Sequence, residues 1–312
     1  MEKKLWWNNR EIMKLADVTI KQLLEAGVHL GHKTFRWNPK MEQFIFGAKN
    51  SIHIIDLVQT LEMTNAALLE IHKCIASGGK ILFVSTKKQA AETIANLAKE
   101  TSQFYVNHRW LGGMLTNWKT ISNSIKRYKK LSVDLQQENT GFTKKENLKM
   151  GIQRDKLERS LGGIAEMKKV PDMIFIIDTN VEDLAVKEAS KLNIPIVAVV
   201  DTNSDPSRIT FPIPGNDDAR RAINSYCDLV KKTIVDAQKY VSKNEVENVD
   251  KKTDKESKNE KKLKPEEKKV KKFKVEKKNE NLKKKVAKTT PQKIAKSILS
   301  KVKSLATKKE KK

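Results

Sequence analysis

The chain has 312 residues and a formal net charge of +25, from 63 Lys and Arg against 38 Asp and Glu. The residues after Tyr240 contribute 27 Lys and 11 acidic residues, a net +16, which leaves +9 for the first 240. A body of that length can bury a full hydrophobic core as one domain. Its positive excess suits a polyanionic partner.

Cysteine usage and hydropathy exclude several classes of protein. Cys74 and Cys227 form no CxxC or other metal-ligand spacing, so buried, reduced thiols are expected. The longest clear apolar run, Ile194 to Val200, is far shorter than a membrane span. The N-terminal residues lack the continuous apolar segment of a secretory signal. These features predict a cytoplasmic protein.

Short apolar runs alternate with helical patterns along the body. The predicted strands are Ile52–Leu57, Lys80–Ser85, Phe104–Val106, Met173–Asp178 and Ile196–Asp201. Apolar residues at helical spacing predict helices at Thr60–Ser77, Lys87–Glu100 and Val181–Leu192. Because strand and helix alternate, right-handed crossovers and a mostly parallel sheet covered on both faces are expected. The body is therefore predicted to be a three-layer α/β domain over residues 19–240, after an N-terminal extension of residues 1–18.

Residues 117–162 interrupt this alternation. Apolar residues recur at steps of three and four on both sides of a polar turn near Asn139 to Gly141. This pattern predicts two amphipathic helices joined as an antiparallel hairpin. Its many Lys residues predict that the hairpin projects into solvent or along RNA.

The composition changes abruptly after Val241, where Lys, Glu and Asn dominate. Too few large apolar residues remain to form a core, so a disordered Lys-rich tail is predicted for residues 241–312. Within it, apolar residues share one face of a short helix at 291–306, which could fold on contact with RNA. A solvated tail with only transient helix is the alternative in isolation.

The segment Asn107 to Trp118 is the most informative stretch for function. Arg109 offers a forked donor suited to phosphate, and Trp110 and Trp118 offer flat faces for a base or ribose. Gly112 and Gly113 relieve the backbone of steric limits. RNA binding is one interpretation, and a glycine-containing loop closed by two buried Trp is the other.

Five separated blocks of sequence carry a resemblance that favours the RNA interpretation. Besides NHRWLGGMLTNW, they lie at 26–57 (AGVHLGHKTFRWNPKMEQFIFGAKNSIHIIDL), 79–90 (GKILFVSTKKQA), 160–164 (SLGGI), and 194–223, with IPIVAVVDTNSDP and FPIPGNDDARRAI. Taken in chain order, the five blocks resemble the universal small-subunit ribosomal protein 2 family in its bacterial form. The resemblance implies a flavodoxin-like/Rossmann-like domain with a mostly parallel five-stranded sheet and a protruding helical hairpin. It also implies a structural constituent of the small ribosomal subunit.

Two clusters of side chains are the candidate RNA-binding sites. The N-terminal cluster comprises His32, Lys33, Arg36, Trp37, Asn38 and Lys40. The loop cluster comprises His108, Arg109, Trp110, Gly112, Gly113, Thr116 and Asn117. Burial of at least one Trp is expected. The resemblance implies as partners small-subunit rRNA, other small-subunit proteins and, in many bacteria, the large OB-repeat protein that captures mRNA. No independent homo-oligomer is expected.

An α/β nucleotide-binding enzyme with a basic tail is the alternative function. Ser85 to Lys88 follows a strand but lacks the glycines of a phosphate loop. Asp178 and Asp201 end strands, where acids are either functional or caps of the next helix. His29 and His32 have no Cys or His partner at metal-ligand spacing. Between Asp201 and Asp218, carboxylates permit a magnesium-assisted RNA contact, although helix capping by Asn216 and Asp217 is favoured. No cofactor, metal site or catalytic residue is predicted.

Overall fold

The structure is a computed structural model that describes residues 18–136 and 143–260, with side chains as far as Tyr240. Contacts divide the chain into two compact units, Met1–Glu245 and Val246–Lys312. Of the second unit, only the helical backbone up to Glu260 is described. The short helix predicted at 291–306 and residues 1–17 of the N-terminal extension lie outside the described residues.

The central sheet consists of five parallel strands. They are β4 (Ile81–Val84), β5 (Phe104–Val106), β6 (Met173–Ile177), β7 (Ile196–Val200) and β8 (Phe211–Pro214). Their order across the sheet is β5-β4-β6-β7-β8, and every residue of β4, β6 and β7 is buried. This order is the one found in flavodoxin-like folds. The predicted α/β class is confirmed.

Helices cover both faces of the sheet, because alternate strand residues point to opposite sides. One layer holds α1 (Ile20–Ala26), α2 (Leu57–Ala76), α3 (Ala91–Glu100) and the first part of α7 (Arg220–Glu260), which pack on Phe83 and Phe175. The other face carries Leu82 and Ile174, which face α6 (Asp183–Lys191) and the sheet-proximal ends of α4 (Trp118–Gln136) and α5 (Lys144–Leu161). Each layer forms its own hydrophobic cluster.

The prediction that Ile52–Leu57 joins the main sheet is wrong. This segment supplies β3 (Ile52–Ile55) of a separate antiparallel sheet with β1 (Leu30–Lys33) and β2 (Ile45–Lys49). Asn50 and Ser51, with φ of 52° and 60°, form the two-residue hairpin turn between β2 and β3. Such a turn matches the twist of two paired antiparallel strands. It therefore pairs β3 with β2, whereas a strand of the parallel sheet would need a longer crossover connection.

The fifth parallel strand is instead β8, in a segment that looks turn-forming because it contains Pro212 and Pro214. Proline removes a ladder donor and is therefore tolerated at the edge of a sheet, which is where β8 lies. The strand pairs with β7 through Val199 and Ile213.

The two helices expected between residues 117 and 162 are α4 and α5. Arg127 donates a hydrogen bond to Gln153 across them, at 3.2 Å. Their buried residues, Ile121, Ile125 and Leu161, lie at the ends nearest the sheet, so the helices run antiparallel. Residues 137–142, which include the whole of the expected turn, lie outside the described residues.

Disorder was expected from residue 242 onward, whereas the backbone of α7 is helical to Glu260. Disorder of the Lys-rich tail at 241–312 stays a prediction. Among the described residues, no helix is both long and apolar enough to cross a membrane.

Candidate nucleic-acid interface

The loop between β5 and α4 is organised by a single carboxylate, that of Glu188 on α6. Its Oε1 accepts hydrogen bonds from Trp110 Nε1 (3.1 Å) and Gly113 N (2.7 Å). Its Oε2 accepts from Leu115 N (2.9 Å), Thr116 N (3.1 Å) and Thr116 Oγ1 (3.2 Å). Five donors from one loop converge on one side chain, so the loop is held in one conformation.

Glycine and buried apolar residues complete this anchoring. Gly113 has a φ of 81°, a left-handed conformation that side-chain-bearing residues rarely adopt. Met114 and Leu115 are buried in the same hydrophobic cluster as α6. The turn at Gly113 thus directs backbone N–H groups to Glu188 and the next two side chains into the core.

The hydrogen bonds also change the acidity of Glu188. Burial by itself raises the pKa of this carboxyl, but donation by the Leu115, Thr116 and Gly113 N–H groups and by Trp110 outweighs it. The pKa of Glu188 is therefore held below its ordinary value of 4.5. The carboxylate stays ionised at neutral pH.

Fixing the loop leaves a basic edge in solvent. His108 and Arg109 are exposed and line a groove together with Lys156 and Arg159 of α5, and the acidic Asp155 also lines it. Those two α5 residues were missed by sequence reasoning, since only the packing of the hairpin against the loop brings them there. Trp110 is 7% exposed, so its ring supports the loop and offers no open face for stacking.

The polar residues at the end of the loop are partly committed to structure. Thr116 gives both its N–H and its hydroxyl to Glu188. The Asn117 side chain accepts from Thr120 Oγ1 (2.9 Å) at the start of α4. Gly112 is exposed. Among the predicted loop cluster, His108 and Arg109 have the side chains most available to a partner.

The N-terminal cluster lies on β1 and on the 3-10 turns that follow it. Lys33, Arg36 and Lys40 are exposed. The Arg36 guanidinium lies 5.5 Å from the ring centroid of Phe35, and that ring is 74% exposed. Trp37 is 37% exposed and packs at a tilt on His53, with 5.5 Å between ring centroids. Phe35 was not singled out from sequence, although it stands between two predicted contacts.

The turn after Arg36 is fixed to the loop that follows β7. Asn38 N donates to Thr202 O at 2.8 Å, while Asn38 Oδ1 accepts from Lys40 N at 3.0 Å. Lys40 Nζ lies 2.7 Å from Asp205 Oδ2, and this contact together with the Ser207 N–H lowers the pKa of Asp205 to about 2. The Lys40 pair is exposed, so it contributes little stability.

His32 differs from its neighbours because it faces inward. Its ring Nδ1 lies 3.0 Å from Asp201 Oδ2, and its ring Nε2 lies 3.4 Å from Asp218 Oδ2. Its backbone N–H donates a hydrogen bond to Thr202 Oγ1 at 2.9 Å. The Asp201 contact raises the pKa of His32 against the lowering effect of burial. His32 therefore belongs to an interior polar cluster more than to the exposed surface.

Lys87 is the cation of that interior cluster, at the carboxyl ends of the strands. Its Nζ lies 2.8 Å from Asp217 Oδ1, 2.6 Å from Asp218 Oδ1 and 3.2 Å from Asp178 Oδ2. Burial disfavours the charge, but these carboxylates outweigh it and raise the pKa of Lys87. Asn216 Oδ1 accepts hydrogen bonds from Asp218 N and Ala219 N, in the turn just before α7 begins at Arg220.

This arrangement occupies the place where a flavodoxin-like fold binds phosphate ligands. Lys87 is engaged by three Asp side chains, and the Thr86 N–H donates to Glu182 Oε1 at 2.6 Å. A phosphate would have to displace carboxylates from both groups. The geometry therefore gives no support to the nucleotide-binding alternative.

Comparison with known proteins decides the family. The family model described as Ribosomal protein S2 matches residues 23–237. The chain belongs to this family. It is 58% identical over 224 residues to the small ribosomal subunit protein uS2 of Sinorhizobium medicae, and 57% identical to the proteins of that name from Parvibaculum lavamentivorans and Agrobacterium fabrum. Each alignment covers 72% of this chain and 88% of the relative.

The resemblance inferred from the five sequence blocks is thereby confirmed. In this member of the Ribosomal protein S2 family, the two candidate clusters rest on different elements: the loop cluster on α6, and the N-terminal cluster on the loop after β7. Apolar neighbours of both clusters are buried in the same hydrophobic layer: Met41 and Phe44 next to the N-terminal cluster, and Met114 and Leu115 next to the loop cluster. The family match ends at residue 237, so the Lys-rich tail lies beyond it.

Proposed function

We propose that this chain is a structural constituent of the small ribosomal subunit in the cytoplasm, where it binds small-subunit rRNA and neighbouring ribosomal proteins. Membership of the Ribosomal protein S2 family carries the proposal, since its relatives at 57–58% identity are named small ribosomal subunit protein uS2. The role is scaffolding, without catalysis.

The exposed cations of the two clusters are the proposed phosphate contacts. Arg36 and Arg109 offer planar forks of donors, and Lys33, Lys40 and His108 add positive charge or donors nearby. Phosphate contacts fix the position of a protein on RNA without reading sequence, which is what a structural component requires. Trp37 and Phe35 offer partly or largely open rings on which a splayed base could stack.

Rigidity supports the same role. The loop cluster is held by Glu188 and the N-terminal cluster by Thr202, so donors are pre-organised and lose little freedom on binding. We also propose that residues 19–240 act as one domain, with the hairpin at 117–162 projecting from it and the tail after 240 as a separate, auxiliary RNA contact.

A finer part of the proposal concerns a protein partner. We expect the large OB-repeat protein that captures mRNA to contact the subunit through this chain where that partner is present. Small subunits lacking the chain should then retain less of that protein than subunits reconstituted with it.

Sedimentation tests the proposed function directly. The native protein should cosediment with small subunits and leave them only at high salt, because each phosphate contact releases counterions. The enzyme alternative predicts instead that a nucleotide protects the isolated protein against heat in a saturable way. Absence from small subunits together with nucleotide protection would overturn the proposal.

A further inference from the structure

The groove beside the loop cluster continues past it along the hairpin. Its first cavity, of about 550 Å³, is lined by His108 and Arg159 among others. The second, of about 390 Å³, shares these two residues with the first and adds Lys99 and Tyr105. The third, of about 570 Å³, shares Lys99 and Tyr105 with the second and reaches Tyr128 of α4. Together the three cavities form one continuous track, the hairpin groove, between the hairpin on one side and α3 with β5 on the other.

Positive charge predominates on the walls of the hairpin groove. Five exposed side chains carry a fixed positive charge: Lys99, Arg109, Lys129, Lys156 and Arg159. Three side chains carry a negative charge: Asp155, Glu158 and Glu166. The Asp155 carboxylate is itself paired with the Arg154 guanidinium, at 2.6 Å from Oδ1 to Nη2. The balance of charge therefore suits a polyanion.

Two aromatic rings lie in the third cavity of the groove. Tyr105 and Tyr128 both line it, and both are half-buried, so each ring is fixed by packing on one part and open on another. The Lys99 ammonium lies 5.9 Å from the centroid of the Tyr105 ring, which holds this cation in the groove. Tyr128 supplies a second ring, on which a base can stack while Lys99 contacts a phosphate.

The groove floor is closed to a partner β-strand. β5 is an edge strand of the parallel sheet, a place where a peptide could otherwise add a strand. The carbonyl of Val106 accepts from Ser85 N, so the alternate carbonyl, that of Tyr105, faces the free edge. Gly163, in the turn after α5, packs on this edge: a Cβ atom there would lie 2.1 Å from Tyr105 O and 2.8 Å from the Tyr105 ring. Because the turn covers this carbonyl, recognition is left to the charges and rings of the walls.

We propose, on the basis of the function proposed above, that the hairpin groove binds an unpaired strand of small-subunit rRNA, with a base on Tyr128 and phosphates along Lys99 and Arg159. Each cavity lies within the range of about 300–1,000 Å³ that is typical of small-ligand sites, which fits single nucleotides. A duplex keeps its bases stacked inside and presents its phosphates on a convex surface, so it does not enter such a groove. A basic groove with rings for stacking is how proteins hold single strands.

Binding of short fluorescent RNAs to the full chain tests the proposal. An unstructured single strand and a duplex of equal length are compared by fluorescence anisotropy over a range of salt concentrations. Excess unlabelled duplex occupies the Lys-rich tail during the single-strand measurements.

The groove variants have distinct expected results. Tyr128→Ala should reduce affinity for the single strand at least about fivefold, the lower end of the loss for one stacked base, and leave affinity for the duplex unchanged. Tyr128→Phe keeps the ring and should bind the single strand like the parent chain. Lys99→Gln and Arg159→Gln should each reduce the salt slope of single-strand binding by about 0.7, because each removes one phosphate contact.

Matched controls lie on α7, outside the groove. Tyr240→Ala removes a ring that is 52% exposed, and Lys232→Gln removes an exposed cation. Both should bind single-stranded RNA like the parent chain. Circular dichroism checks that each variant is folded, and the variants at the exposed Lys99 and Arg159 decide the matter if Tyr128→Ala does not fold.

The outcomes separate the groove from the proposed function. Unchanged single-strand affinity in a folded Tyr128→Ala chain, an equal loss in Tyr240→Ala, or unchanged salt slopes in Lys99→Gln and Arg159→Gln would each overturn the groove as a binding site. The proposed function would stand in these cases as long as the parent chain cosediments with small subunits. Failure of the parent chain to cosediment would overturn the proposed function itself.

Discussion

At the scale of single residues, Glu188 links the folded core to the surface that we propose binds RNA. Glu188→Ala leaves donors of Gly113, Leu115 and Trp110 without their acceptor in a partly buried loop. Unsatisfied buried donors cost about 1–3 kcal/mol, so the free energy of unfolding of the variant should be lower by that amount. Its denaturant midpoint should fall accordingly. It should also bind small-subunit rRNA less tightly, since the loop loses its fixed conformation.

A control on the same helix isolates this effect. Asp183 is exposed and pairs only with Lys187 one turn later, so Asp183→Ala should change stability by less than about 0.5 kcal/mol. Denaturant unfolding of the two variants and the parent chain provides the comparison. Equal stability of Glu188→Ala and Asp183→Ala would contradict the role given to Glu188.

The lowered pKa of Glu188 predicts how this contribution depends on pH. A carboxyl whose pKa is depressed by folding stabilises the fold above its unfolded-state pKa and loses that contribution as pH falls through the folded value. The stability difference between the parent chain and Glu188→Gln should therefore be constant near neutrality and shrink as pH falls below about 4.5. A difference that grows on acidification would show that the sign is wrong.

The exposed arginines give a further prediction at the scale of residues. Because Arg36 and Arg109 are exposed, replacing both by Glu should reduce incorporation into small subunits and leave thermal unfolding of the isolated protein almost unchanged. Lys21→Glu with Lys73→Glu makes the same charge change on α1 and α2, at the opposite layer. Subunit reconstitution with both double variants decides the matter. Normal incorporation of a folded Arg36→Glu, Arg109→Glu chain would refute the proposed contacts.

At the scale of elements, the hairpin of α4 and α5 is attached through its sheet-proximal ends. Leu148 and Ile152 are 66% and 61% exposed, whereas Ile121, Ile125 and Leu161 pack in the core. Replacing residues 135–142 by a short Gly-containing turn should therefore preserve cooperative unfolding of the α/β body, with a change of less than about 1 kcal/mol. Thermal denaturation followed by circular dichroism measures this.

The matching variant at the attached end is Ile125→Ala. This residue is 5% exposed, and truncating a buried isoleucine typically costs about 2–5 kcal/mol. If the tip replacement destabilised the protein as much as Ile125→Ala, the hairpin would be part of the core and the proposed domain organisation would be incorrect.

At the scale of the whole molecule, the charge is divided between a family-matched body of +9 and a tail of +16 beyond Tyr240. Truncation after Tyr240 should leave incorporation into the subunit intact. It should weaken binding to free RNA and reduce the steepness of its salt dependence, because fewer Lys side chains displace counterions. Filter binding over a range of salt concentrations measures both. An unchanged salt slope would make the tail an inert extension, and failure to incorporate would make it a determinant of position.

The sequence by itself determined the α/β class, the two hairpin helices, and the family. Those follow from local periodicity and from motifs such as NHRWLGGMLTNW, which are visible in short stretches of sequence without any knowledge of distant contacts. The expected burial of at least one Trp is confirmed by Trp110, which is 7% exposed. The sheet membership of two segments was not determined, because the half-exposed β3 and the proline-containing β8 have local patterns that do not specify a strand partner.

Only the tertiary structure decided which side chains act together. Glu188 looks like an ordinary helix residue in the sequence, yet more than 70 residues separate it from the donors that it accepts from. His32 and Asp201 are still more remote in sequence, and they meet because β1 is attached to the loop after β7 through His32 and Thr202. Local spacing encodes the period of a helix or strand, whereas contacts between distant segments depend on how the sheet orders its strands. The loop anchor and the interior polar cluster therefore emerged only from the folded chain.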